Sequence, residues 1–318
     1  MKTILVTGGA GFLGYNLCKR LLKEGNNVVC HDNMLTGQNE NVDDLSSYSN
    51  FLFKAIDVKS NGYNPYNIYF DRLDEIYHMA CPASPPEYQK DPVDTLLTIV
   101  NGTKNILEFA KYYNCKVLIA STSEVYGDPE VSPQSETYRG SVNPCGIRSC
   151  YDEGKRASES LAYDYKRMYG TNIRVSRTFN TAGPGMSLDD GRVVTNFIKQ
   201  ALTNSPLTVY GDGLQTRSIC YVDDQIDGLT KLVKSDYSDT PVNIGNPEEV
   251  TMIDLAKEVI ELTNSKSSIE YRPLPKDDPK KRCPDIALAK RVLGWEPKTS
   301  RRDGLIKTIA YAKQKMNS

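Results

Sequence analysis

Hydrophobic residues along this chain switch between two spacings. Residues 2–7 carry the unbroken apolar run Ile4-Leu5-Val6, which suits a buried strand, and a glycine-rich turn follows it. Leu13, Leu17, Leu21 and Leu22 then recur at helical spacing and predict an amphipathic helix over about 12–24. Further strand-like runs stand at 27–31, 51–56, 75–79 and 116–121, with a long helical pattern over 93–113 before the last of them. A helix over about 151–168 and a strand at 172–178 continue the alternation. Strands apolar on both faces, separated by helices, predict an α/β fold whose parallel sheet is covered on both sides. Residues 60–67 and 128–148 are long connections for such a fold, and long connections are often functional.

After Asn180 glycine and proline become frequent, as in Gly183-Pro184-Gly185, and the chain is expected to leave the sheet. Helices are predicted beyond that point over about 192–203, 223–233, 251–263 and 301–315, with a short strand at 207–210. The expected division is a large domain of residues 1–180 with about 219–246, and a smaller C-terminal lobe of 181–218 with 247–318.

Composition narrows the partners. Lys and Arg number 39 against 40 Asp and Glu, so the formal charge of -1 supplies no field for nucleic acid or an acidic membrane. An anionic ligand must be held by locally placed groups. No apolar run approaches the roughly 20 residues that cross a bilayer, and Met1-Lys2 leads straight into a strand pattern. No membrane contact and a cytoplasmic location are therefore expected. The eight cysteines include no Cys-x-x-Cys, and several sit in apolar runs such as Val28-Val29-Cys30, as buried reduced thiols do. With only His31 and His78 as histidines, no metal site is expected.

Thr7-Gly8-Gly9-Ala10-Gly11-Phe12-Leu13-Gly14 joins the first strand to the first helix. In that context Gly8 permits a tight turn, Gly11 lets backbone approach a pyrophosphate, and Gly14 allows close helix–strand packing. The phosphates then meet N–H groups at the positive end of the helix dipole. Asp32, some 20 residues on, ends the second strand, where a carboxylate can accept from adenosine ribose hydroxyls and repel a 2′-phosphate. These features predict a Rossmann-type doubly wound sheet binding NAD rather than NADP.

Tyr151 and Lys155 are spaced to share one helical face, one turn apart. A nearby ammonium favours phenolate, so Lys155 is expected to lower the Tyr151 pKa and let the phenol take a proton from a substrate hydroxyl. With the Gly-x-x-Gly-x-x-Gly turn and Ser121-Thr122-Ser123-Glu124, this pattern resembles the extended short-chain dehydrogenase/reductase family. The resemblance implies that Lys155 also holds the nicotinamide ribose and that Thr122 or Ser123 shares the substrate hydroxyl. It implies cofactor contacts at Phe12, Leu13, Asn33, Asp57, Val58 and Ala80 besides Gly8, Gly11, Gly14 and Asp32.

Later segments point to a nucleotide sugar. Leu207-Thr208-Val209-Tyr210-Gly211, Gln215-Thr216-Arg217 and Asp190-Gly191-Arg192-Val193-Val194 resemble the base-lining strand and diphosphate-binding arginines of sugar-nucleotide epimerases and dehydratases. Arginine suits phosphate because its planar fork donates in pairs. The 4,6-dehydratases carry Asp-Glu-Val-Tyr-Gly where this chain has Ser123-Glu124-Val125-Tyr126-Gly127, so the general acid of an elimination is missing. That segment, with Ala80–Pro86, Cys150–Arg156, Phe179-Asn180-Thr181, Arg217-Ser218 and Asp277–Asp285, resembles the UDP-glucuronate decarboxylases (UDP-xylose synthases) over almost the whole chain.

The resemblance implies a carboxy-lyase that oxidises the C4 hydroxyl with Tyr151 as base, loses CO2 from the resulting β-keto acid, reprotonates C5 and returns the hydride. Glu124 would orient the sugar and support proton delivery, and Arg282 would recognise the carboxylate. Ser84, Asn180, Arg192, Val193, Thr208, Tyr210 and Arg217 would complete the UDP-sugar contacts. A homodimer through a four-helix bundle of the 93–113 and 151–169 helices is implied as well. Gly185 stands where relatives usually have arginine, Ile219 replaces a usual aromatic, and residues 59–71 look longer than their counterparts. The rival readings are a nucleotide-sugar 4,6-dehydratase, a UDP-glucuronate 4-epimerase and a non-catalytic NAD-sensing protein.

Overall fold

A seven-stranded parallel sheet organises the chain, in a computed structural model that describes residues 1–275, 277, 279 and 281–317. Asp278 and Lys280, within the Asp277–Asp285 block, lie outside the described residues. The first half runs β1 (Thr3–Thr7), α1 (Phe12–Lys23), β2 (Asn27–Asp32), α2 (Asn39–Ser46), β3 (Phe51–Ala55), β4 (Glu75–His78), α3 (Pro85–Tyr88), α4 (Pro92–Tyr113) and β5 (Lys116–Thr122). It continues with α5 (Ser149–Tyr169), β6 (Ile173–Thr178), β7 (Thr181–Ala182), α6 (Val193–Leu202), β8 (Leu207–Tyr210), β9 (Thr216–Ser218), β10 (Cys220–Tyr221) and α7 (Val222–Lys234). The remainder is β11 (Val242–Ile244), β12 (Glu249–Thr251), α8 (Met252–Thr263), β13 (Ile269–Arg272), α9 (Ala287–Leu293) and α10 (Arg301–Met316).

Sheet order is β11-β6-β5-β4-β1-β2-β3, so the winding reverses between β1 and β4, where ligands bind doubly wound sheets. The unbroken apolar runs are explained by the two covered faces. Ile4, Val6, Val28, Cys30, Tyr77 and Leu118 pack on one side with α1 and α7. Leu5, Val29, Ile76, Val117 and Ile119 pack on the other with α4 and α5. Each such apolar side chain removed from water contributes about 1.5–3 kcal/mol. α4 is delimited locally: the Asp91 side chain accepts from Asp94 N at 2.9 Å, Pro92 opens the helix, and Asn114 ends it in the left-handed region.

A third apolar cluster joins α6, β8, α8 and α10 around Phe197, Leu207, Leu255 and Leu305. Three two-stranded ribbons, β10-β7, β12-β9 and β13-β8, tie this region together. The expected strand at 207–210 is β8, which pairs in parallel with β13.

β11 was not expected as a strand. Its three residues are too few to show a period, yet Val242 and Ile244 are wholly buried and pair in parallel with β6. The polar helix α2 was also missed, because it buries only Asn41 and Leu45. The extra length at 59–71 is packed rather than loose. Tyr63 is buried there, with its hydroxyl 2.9 Å from His31 Nδ1 and its ring against Phe109. All eight cysteines are free thiols, six of them buried. Among the described residues no helix is long and apolar enough to cross a membrane.

Candidate active site

The carboxyl ends of β1, β2, β4, β5 and β6 open into one cavity of about 1050 Å³, which runs from the glycine turn to Arg282. The turn explains its own glycines. Gly8 has φ +72, and a Cβ there would lie 2.8 Å from the Ala80 backbone. A Cβ at Gly14 would lie 2.0 Å from the Gly8 carbonyl oxygen, so α1 reaches the strand only because this residue has no side chain. Gly11 is different: its Cβ would meet only the Gly8 oxygen, at 3.4 Å. Protein packing leaves that space free, on the cavity wall, at a helix start with no side-chain cap. Unclaimed N–H groups at such a start suit phosphate oxygens.

Asp32 is fixed at the end of β2 by Ala10 N, which donates to Oδ2 at 3.0 Å, and Met34 N, which donates to Oδ1 at 2.9 Å. Burial raises its pKa, and those two N–H groups pull it back. Asn33 donates to the Asp57 carboxylate at 3.2 Å, and Asp57, Val58 and Ala80 line the same end of the cavity with Phe12 and Leu13. A dinucleotide fits this cradle on three counts: room over Gly11, a free helix start, and an anchored carboxylate.

At the other end, β5 delivers Thr122 to the wall, and a single tight turn carries Ser123-Glu124-Val125-Tyr126. Thr122 hydrogen-bonds Tyr151, whereas Ser123 is buried away from the cavity wall. Of the two residues left open for the hydroxyl-sharing position, Thr122 is the one placed for it. α5 brings Tyr151 and Lys155 to the cavity together, with the Lys155 ammonium 5.8 Å from the Tyr151 ring centre. The Lys155 ammonium donates to the Ala120 carbonyl at 2.7 Å.

The expected lowering of the Tyr151 pKa by Lys155 is absent. Burial drives this phenol well above its ordinary value, with the neighbouring Cys81 adding to the rise and Thr122 opposing it. Burial disfavours the charge of Glu124, yet the guanidinium groups of Arg282 and Arg148 hold its pKa down at about 2. A carboxylate so stabilised is ionised at neutral pH, so it can orient its neighbours but donates no proton of its own.

Arg282 is the best-held of the expected substrate residues. Its side chain is 2% exposed, and it donates to Glu124 Oε2 at 2.6 Å, Glu124 Oε1 at 3.2 Å and the Gly127 carbonyl at 2.6 Å. Arg192 lines the cavity but forms a two-pronged ion pair with Asp190. Arg217 sits on β9 and donates to the Thr216 carbonyl at 2.9 Å. Ser84, Asn180, Val193, Thr208 and Tyr210 also line the cavity, with Thr208 accepting from Gln200 at 3.0 Å. Gly185 has φ +90 and packs on Tyr15, and Ile219 is a buried wall residue.

Arg148 and Tyr88 are wall residues that the sequence pattern did not single out. Arg148 pairs with Glu124 and lies three residues before Tyr151, one helical turn away, a spacing that would have revealed it. Tyr88 stacks on Tyr151 with ring centres 5.0 Å apart and planes 6° from parallel. Its carbonyl is held by Thr95 Oγ1 at 3.1 Å and Cys150 Sγ at 3.6 Å, so α4 and α5 both fix it.

Residues 4–245 match the model of the NAD dependent epimerase/dehydratase family. UDP-glucuronic acid decarboxylase 2 of Arabidopsis thaliana is 51% identical over 95% of this chain, which spans 66% of that relative's length. UDP-glucuronic acid decarboxylase 6 of Arabidopsis thaliana is 50% identical, covering 95% of this chain and 86% of its own, and UDP-glucuronic acid decarboxylase 1 of Danio rerio is 49% identical, covering 98% and 72%. Among solved structures, UDP-glucose 4-epimerase from Thermotoga maritima superposes with TM-score 0.91 at 29% identity over 99% of both chains. UDP-glucuronic acid 4-epimerase from Bacillus cereus, in complex with UDP-glucuronic acid and NAD, gives 0.86 at 28% identity over 98% and 99%. The chain thus belongs to the NAD dependent epimerase/dehydratase family, among the UDP-glucuronic acid decarboxylases.

Proposed function

We propose that the protein is a carboxy-lyase that converts UDP-glucuronate to UDP-xylose with bound NAD, through a transient 4-keto sugar and with the cofactor regenerated each turnover. The observation that carries this reading is Glu124, held ionised between Arg148 and Arg282 beside Thr122 and Tyr151. A fixed carboxylate there supplies no acid for eliminating a hydroxyl, whereas two guanidinium groups at the same place suit a sugar that bears its own carboxylate.

The turn at Gly8, Gly11, Phe12, Leu13 and Gly14 would hold the pyrophosphate of NAD, and Asp32 its adenosine ribose. When bound, NAD would supply the hydride acceptor and a positive charge to the site. Tyr151 takes the proton of the C4 hydroxyl, and Thr122 fixes that hydroxyl by hydrogen bonding. Because burial raises the Tyr151 pKa, the phenolate that accepts this proton requires the positive charges of bound NAD and of Lys155, which also ties α5 to the end of β5. Arg282 orients the substrate carboxylate, whose bond to C5 breaks with its electrons passing to the C4 carbonyl. Glu124 keeps Arg282 and Arg148 in place. Arg192 and Arg217 serve the diphosphate, and Thr208 with Tyr210 the base.

The same reading divides the chain into a cofactor-binding domain (1–180 with about 219–246) and a substrate lobe (181–218 with 247–318). Exposed Val93, Leu96 and Leu97 on α4 support a homodimer built on α4 and α5. The purified protein with NAD and UDP-glucuronate is expected to release CO2 and form UDP-xylose. Tyr151→Phe should reduce the rate at least about 100-fold. Formation of UDP-galacturonate without CO2 would instead establish an epimerase.

A further inference from the structure

Asp152 is a buried acid that the reaction above does not use. It follows Tyr151 on α5 and is 6% exposed, and its Oδ1 has no hydrogen-bond partner among the described residues. It stands one helical turn beyond Arg148, since Asp152 N donates to the Arg148 carbonyl at 3.1 Å. Arg148 in turn is paired with Glu124, which Arg282 also grips. The charged or titratable groups that face Asp152 are Glu124 on the turn after β5, Arg148 at the start of α5, Arg282 before α9, Cys150 and Glu153 on its own helix and Tyr88 on α3.

A buried carboxyl without a partner resists ionisation, and a fixed carboxylate beside it resists it further. Glu124 holds its charge because two arginines serve it. Asp152, one turn from the nearer of them, is left as the neutral member of the pair. Each ionisation of Asp152 lowers by one the charge that the cluster presents to the sugar end of the cavity.

We propose that Asp152 is a positioning residue for uronate recognition: as the neutral acid it leaves Arg148 and Arg282 to Glu124 and the incoming carboxylate, and when ionised it competes for Arg148 and weakens that recognition. Burial, with Glu124 adding to it, pushes the Asp152 carboxyl up to about 7, so the change falls within an accessible pH range. The proposal rests on the substrate being a nucleotide-linked uronate.

Binding of UDP-glucuronate and of UDP-glucose to the NAD-loaded protein, measured by calorimetry at pH 6 and pH 8.5, tests it apart from turnover. The wild-type Kd for UDP-glucuronate is expected to rise about tenfold over that interval, while UDP-glucose, which has no carboxylate, binds alike at both. Asp152→Asn copies the shape of the neutral acid and should keep the pH 6 affinity at pH 8.5. It should also melt no lower than wild type at pH 8.5, where the wild-type chain carries the buried charge. A parallel rise in Kd for both proteins, or for both sugars, overturns the assignment. So does an Asp152→Asn chain that is unfolded at pH 6, because the carboxyl would then carry a structural bond absent from this geometry. CO2 release in the same preparation separates the two readings. Release without pH-dependent binding faults the role of Asp152, and pH-dependent binding without release faults the reaction.

Discussion

Arg282→Ala removes the side chain that joins the loop before α9 to the catalytic turn. Three bonds go with it, two to Glu124 and one to the Gly127 carbonyl. Breaking a buried ion pair by truncating one partner costs about 3–5 kcal/mol, chiefly because the other charge stays buried. Arg148 remains on Glu124, so the lower end, about 3 kcal/mol, is expected. For a chain of 318 residues the unfolding entropy is about 0.7 kcal/mol/K, which converts that cost into a melting shift of about 4–5 °C. The protein should therefore stay folded at 25 °C and allow function to be measured. Loss of charge-assisted bonds to the substrate carboxylate, at about 1.5–3 kcal/mol each, predicts a fall in kcat/KM for UDP-glucuronate of about 100-fold or more. NAD affinity should hold within about threefold, because Gly11 and Asp32 lie at the opposite end of the cavity. Calorimetric melting, NAD titration and CO2 release measure the three quantities on one preparation. Equal losses of NAD affinity and CO2 release would refute the reasoning, as would no loss of either.

Two glycines of the turn should separate fold from ligand. Gly14→Ala forces a Cβ to 2.0 Å from the Gly8 oxygen and should cost about 3 kcal/mol of stability in denaturant titrations, whereas Gly11→Ala meets it at 3.4 Å and should cost under about 1 kcal/mol while still weakening NAD binding. An equal stability loss in both variants would contradict that distinction. Burial lowers the pKa of His31 to about 4 and of His78 to about 3, so the unfolded chain binds protons first as pH falls below about 6.5. Each histidine then removes about 2 kcal/mol of stability between pH 7.5 and pH 5. Urea unfolding at the two pH values checks this, and a free energy that does not change with pH would count against the buried neutral state.

Much of the nucleotide half was legible in the residue pattern because its signals are local. Ile4-Leu5-Val6 shows no alternation since both sheet faces are covered, and that is also what makes the strand recognisable. Gly8, Gly11 and Gly14 act within one turn, and Tyr151 with Lys155 within one helix, so spacing alone places them. Wall residues such as Ser84, Arg192, Tyr210 and Arg282 were reached through resemblance rather than periodicity. Short or polar elements carried too little pattern: β11 is three residues long, and α2 buries only two side chains.

The electrostatic state of the site belongs to another level. Glu124 and Arg282 are 158 residues apart, and no local spacing announces that they meet. Lys155 is adjacent to Tyr151 in the pattern, yet burial outweighs it, and the phenol rises where proximity of an ammonium implied a fall. A motif states which groups share a helical face. It does not state how much water reaches them or which distant side chain closes over them. Desolvation and long-range ion pairing set the charge on Glu124, Asp152 and Tyr151, and both come into being only when the chain packs. Thus the order of strands, the glycine turn and the Tyr–Lys face were written in neighbouring residues, while the choice of which acid is ionised was made by folding.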